Sequence, residues 1–230
     1  MANLEQTQSV LDRIPAARPA SRGSADLWPT VLRVAWLSIG LGLALEILLL
    51  VLAAFTDTAG ASPKPFIADL AQKISWSFIV CVGLAFGSTA ATPARVREGV
   101  MGLLGLLSAP AGFAVARIVH KVAKDALGAG GTVGAGASPL LIAGLKGVEY
   151  AVFGAVLAWI GKRAMGLGAH VGAGLAIGLT FGIAIVAATV QAAAVPPAAV
   201  DLAAKGVNEV MFPVGCALVL YASGAMAKRL

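Results

Sequence analysis

Charge is scarce in this chain. Lysine, arginine, aspartate and glutamate make up 12% of its 230 residues, about half the share of an ordinary soluble domain. That excludes a surface solvated on all sides. Cysteine occurs twice, as Cys81 and Cys216, each inside an apolar run. Two cysteines cannot supply the framework of a disulfide-rich secreted domain, and they read here as small packing residues rather than a disulfide or a metal pair. Histidine also occurs twice, as His120 and His170. No His-Glu-x-x-His, Cys-x-x-Cys, Gly-x-Ser-x-Gly or dinucleotide fingerprint is present, and the glycine-rich stretch 128–138 lacks the Gly-Lys-Ser/Thr ending of a phosphate loop. The sequence therefore predicts no enzyme, no metal and no cofactor.

What fills the chain is apolar. Hydrophobic residues account for 59% of it, with 28 glycines and only 6% aromatics, and the mean hydropathy is +0.89. Glycine is commoner in membrane helices than in soluble ones. A bilayer-spanning helix needs about 20 apolar residues, and six such runs fit, over 34–55, 66–91, 100–119, 140–160, 171–194 and 199–221. The expected fold class is all-α: a polytopic integral membrane protein of six transmembrane helices. Residues 1–30 read as a flexible polar tail and 31–230 as one six-helix domain. The stripe of cations at the end of the third run predicts an amphipathic extension to Leu127. Pro110 and Pro213 fall inside the third and sixth helices, where each removes a backbone hydrogen bond.

The net charge is +6, but the basic residues are scattered over span ends and form no face suited to nucleic acid. The expected surroundings are a lipid bilayer, with a homo-oligomer or a larger membrane complex as partner. With the N-terminus in the cytoplasm, ten lysines and arginines fall on the inner side and seven on the outer. That bias places both termini inside a bacterial-type inner membrane. On this topology about 30 Å of hydrocarbon separates His120 from His170, so they cannot share a metal within one subunit. Arg117, Lys121 and Lys124 oppose the bias. They make one helical stripe at the outer surface, suited to lipid headgroups or to an anion-attracting vestibule.

One motif recurs. Lysine stands at the mouth of the second, fourth and sixth spans, as Lys73, Lys146 and Lys205. Helical spacing sets Lys73 beside Asp69, Lys146 beside Glu149 and Lys205 beside Glu209. Asp69-Leu70-Ala71 matches Asp201-Leu202-Ala203, and Val82-Gly83 then falls on Val214-Gly215. The echoes predict three tandem helical hairpins pointing the same way. Lys73 reads as an interfacial anchor whose stem snorkels towards water. The two lysine–glutamate pairs read equally as entrance groups or anchors. Glu46 stands near the middle of the first span, where a carboxylate costs about 3 kcal/mol on insertion scales. It shares a face with Gly42 and Ala53, which predicts that it turns towards other helices. Its nearest cations in sequence, Arg33 and Lys64, belong near the two membrane surfaces, so no direct ion pair is expected. Gly83 with Gly87, and Gly174 with Gly178 and Gly182, mark close helix packing, within the chain or between copies.

Two functions follow from these features. One is a small channel or transporter, proton- or cation-linked through Glu46, with Lys146, Glu149, Lys205 and Glu209 along its pathway. The other is a non-transporting scaffold, assembly factor or accessory subunit, which the sparse midplane polarity favours.

Overall fold

The computed structural model of the chain describes residues 27–55, 63–89, 96–129 and 137–227. Among them are six α-helices: α1 Leu27–Phe55, α2 Pro63–Thr89, α3 Arg97–Ala126, α4 Pro139–Lys162, α5 Leu167–Ala192 and α6 Ala199–Ala227. All six are long and apolar enough to cross a membrane.

The helix ends differ from the sequence reading in physically simple ways. Helix α1 begins at Leu27, seven residues before the apolar run, so the end of the expected tail is helical. Helix α2 begins at Pro63 and contains Pro65. Proline is tolerated there because first-turn N–H groups have no intrahelical partner in any case. The amphipathic extension of α3 is present and ends at Ala126, with Leu127 as its cap and Gly128 at φ +64° turning the chain away. Helix α6 runs six residues past its expected end at Tyr221. Most of the tail, residues 1–26, lies outside the described residues, as do 90–95 of the basic connection and 130–136 of the glycine-rich loop.

Each helix packs on its neighbours in the chain, and α6 returns to α1, so the six close a ring. Helix α2 also reaches α6 across the middle. Small residues permit the closeness. A Cβ on Gly105 would collide with the backbone carbonyl of Tyr150, and one on Gly154 with that of Met101, locking α3 to α4. Gly174 and Gly178 sit against the backbone of Val214 and Val210, locking α5 to α6. Gly83 meets Ser108, and Gly87 meets Met101 and Leu104. Both glycine faces therefore serve packing within the chain. Pro110, by removing its own N–H, frees the carbonyl of Leu106, and Gly147 of α4 closes on that spot.

The centre is aromatic at one level and sulfur-rich below it. The Trp76 ring meets Phe113, Tyr150 and Phe212 edge-on, with centroids 6.5, 5.7 and 6.2 Å away. Phe153 continues this layer through Tyr150. Deeper lie Val80, Cys81, Leu84, Leu157 and Cys216, all buried in one apolar cluster. The two cysteines are free thiols, yet their Sγ atoms are 3.0 Å apart, bridging α2 and α6.

Candidate functional site

Above the aromatic layer a cavity of about 540 Å³ opens at one end of the bundle. The N-terminal halves of α2, α4 and α6 and the C-terminal halves of α1, α3 and α5 surround it, as an up-and-down bundle requires. Lys73, Lys146 and Lys205 all line it, together with Asp69, Arg117 and Glu209. Trp76, Phe113 and Phe212 make its floor. The three lysines thus share one end of the bundle.

At the floor, Lys146 is the hub. Its ammonium is 2.8 Å from Glu149 and also pairs with Glu209 of α6. It lies over the rings of Trp76 and Tyr150, at 5.6 and 5.7 Å from their centroids, a geometry that adds cation–π attraction. Lys146 is 5% exposed, Glu149 0% and Glu209 7%. Water scarcely reaches these charges, so they attract far more strongly than a surface pair. The predicted Lys146–Glu149 pair is present. The predicted Lys205–Glu209 pair is not: Glu209 turns inward to Lys146, and Lys205 forms no ion pair among the described residues. A buried carboxylate gains more from an equally buried ammonium than from one at the wet mouth.

A second pair lies to the side. Glu46, 4% exposed, faces the bundle interior and is 2.5 Å from Lys73. Gly42, one turn earlier on α1, allows this, since a Cβ there would stand 2.9 Å from the Ile74 backbone. The expectation that Glu46 has no direct ion pair is therefore corrected: the partner comes from α2 rather than from adjacent sequence. The same contact corrects the anchoring role of Lys73, whose side chain is 14% exposed and points inward. Asp69, expected beside Lys73, instead pairs with His120 of α3 at 2.9 Å.

The outer basic stripe divides. Arg117 lines the cavity and lies 5.6 Å over Phe113, whereas Lys121 and Lys124 do not line it, and Lys121 is exposed. His170 is at the far end, beside Tyr221. Sequence reasoning missed Trp76, Phe113, Phe212 and Asn208. Their signal was register: each stands at helical spacing from a charged residue that lines the same cavity. Three buried oxygens near the floor have no hydrogen-bond partner, namely Oε1 of Glu149, Oη of Tyr150 and Oδ1 of Asn208.

The arrangement can hold a small charged or polar solute at the mouth and exchange charge with the triad beneath it. Comparison with protein-family models, with curated proteins and with solved structures gives no match, so the site's chemistry alone carries the functional reading.

Proposed function

We propose that this protein is an integral membrane transport protein whose six helices span a bacterial-type inner membrane with both termini in the cytoplasm. The cavity is its outward-facing vestibule, admitting a small charged solute, and the aromatic layer is its closed gate. The observation that carries this reading is a vestibule lined by six charged side chains and ending on a buried Lys146–Glu149–Glu209 triad. Each ionisable group at membrane depth costs about 3 kcal/mol before pairing. Apolar packing would hold the same bundle without that cost, so retaining such groups favours a pathway over a passive scaffold. The presence of Lys73, Lys146 and Lys205 around one cavity at the same end of the bundle supports three tandem hairpins related by an axis along the membrane normal. Glu46 and Lys73 form a charge pair between α1 and α2 that rearranges as the vestibule opens and closes.

The test is flux in reconstituted vesicles, with a pH dye and a potassium diffusion potential to report proton and charge movement. Wild-type protein is expected to pass protons or cations. Glu46→Gln, which keeps shape and hydrogen bonding, is expected to fold and to lose most of that flux. Full flux in the Gln variant removes the Glu46–Lys73 pair from the opening and closing of the vestibule, and no flux of any ion or solute with wild-type protein removes the transport reading.

A non-transporting subunit of a larger membrane complex is the second reading. A groove of about 600 Å³ favours it. The groove runs between α5 and α6 and is walled by Ile183, Val186, Val207, Val210 and Met211. A partner's helix seated there would co-purify at fixed stoichiometry from native membrane in mild detergent.

A further inference from the structure

Charge counting at the vestibule floor leaves one negative charge without a partner. Two carboxylates, Glu149 and Glu209, share the single ammonium of Lys146. No other cation forms an ion pair with either carboxylate among the described residues. Lys73 is held by Glu46, and Arg117 lies over Phe113. Lys205 stands a turn nearer the mouth and forms no ion pair among the described residues. Asp69 faces His120 rather than the triad. Helix α5 contributes Thr189 to this cavity and no titratable group. On the inner side the neighbours are the Tyr150 hydroxyl and the thiols of Cys81 and Cys216, with that hydroxyl in electrostatic range of both thiols and both glutamates. A buried, uncompensated carboxylate is costly. Independently of the charge count, fully buried Tyr150 leaves its Oη without a partner, as do Glu149 Oε1 and Asn208 Oδ1. A buried triad of two carboxylates on one ammonium, beside an unpartnered hydroxyl, fits a proton or a small alkali ion, which oxygen ligands prefer.

We propose that the Glu149–Lys146–Glu209 triad holds one further monovalent cation, exchangeable with the vestibule, and that this site, rather than Glu46, carries the coupling ion. Glu46 already has its own cation in Lys73, so it has less use for another. The inference rests on the transport reading for its purpose but not for its measurement, because binding is read without flux. In balance, the bound cation enters from the vestibule as M⁺ or H⁺, and the triad goes from net −1 to neutral. No bond other than a carboxyl O–H forms, and only when the cation is a proton.

The experiment uses the full chain in nanodiscs with Trp28, Trp36 and Trp159 replaced by Phe, leaving Trp76, which lies under Lys146, as the only indole. Its fluorescence is titrated with pH in alkali-free buffer, then with sodium or potassium chloride at fixed alkaline pH. One saturable transition is expected. A transition in pH that ignores the salts identifies a proton; one that sodium or potassium shifts identifies an alkali ion. Glu149→Gln is expected to weaken the apparent affinity about tenfold or more, and Glu46→Gln to leave it in place. Absence of any transition in the tryptophan-reporter protein overturns the proposal. So does a transition unchanged in both Glu149→Gln and Glu209→Gln, or one abolished by Glu46→Gln alone. An infrared carboxylic-acid band in wild-type protein that follows the same pH transition gives a second reading that needs no variant, and its absence across the range excludes the proton. Binding without flux keeps this inference and removes the transport reading; flux without binding at the triad does the reverse.

Discussion

Replacing Lys146 by methionine tests the central ionic cluster most directly. Methionine keeps most of the stem's volume and its contact with Trp76 while deleting the ammonium. At 2.8 Å, the Lys146–Glu149 attraction is about 6 kcal/mol with an effective dielectric near 20. Most of that is offset by the desolvation of both groups. What remains is the penalty of leaving a buried carboxylate unpaired, about 3–5 kcal/mol for breaking such a pair from one side. Here two carboxylates lose the same partner and face each other, and protonation of one relieves part of the repulsion. A loss of about 3 kcal/mol is therefore expected, equivalent to a fall in Tm of about 6–12 °C for a chain of this size. Thermal unfolding in detergent, followed by Trp near-ultraviolet dichroism, reads it. The informative comparison is the triple variant Lys146→Met, Glu149→Gln, Glu209→Gln. It removes the buried charges as a set and is expected to recover more than half of the loss, because the cost lies in an unpaired charge rather than in a missing contact. Two results would refute the reasoning: a single variant within about 1 kcal/mol of wild type, or a triple variant no more stable than the single one.

Two further outcomes are expected. Gly105→Ala forces a Cβ into the Tyr150 carbonyl, whereas Gly144→Ala meets nothing within 4 Å; the first is expected to cost about 2–3 kcal/mol by overpacking and the second to be neutral or mildly stabilising, read by Tm in the same detergent. Cysteine introduced at exposed Ser138, on a background lacking Cys81 and Cys216, is expected to react with an impermeant maleimide added outside right-side-out vesicles, and one at exposed Met165 only after permeabilisation; the reverse pattern inverts the proposed orientation.

The apolar runs made the six helices legible, since nothing else in such a sequence competes with helix inside hydrocarbon. Their ends were less so. Leu27–Thr30 carries Pro29 and so reads as tail, yet a proline is tolerated in the first turn of a helix. Within the site, Lys146–Glu149 was legible because i,i+3 contacts are a property of one helix. The same local rule misled at Lys205–Glu209 and Asp69–Lys73, where a partner on another helix won. Glu46–Lys73 could have been found by counting from the loop: Glu46 stands nine residues before the end of α1 at Phe55, and Lys73 ten after the start of α2 at Pro63. Two antiparallel helices bring such positions to equal depth. No such count reaches Lys146–Glu209, because α4 and α6 are not joined by one loop.

Pro213 has a mechanical meaning for the residue one turn before it. A proline cannot donate to the carbonyl four residues back, and here that carbonyl belongs to Glu209, whose carboxylate is held by Lys146. The weakest point of the α6 backbone and the chemically sensitive end of its side chain are thus the same residue. Above it, Ala199–Glu209 forms a lever about 16 Å long. A swing of about 10° at the break carries its tip by about 3 Å over that length, while the half below, pinned by Cys216 against Cys81, stays where it is. Whatever loosens the grip of Lys146 on Glu209 also frees the lever at its fulcrum.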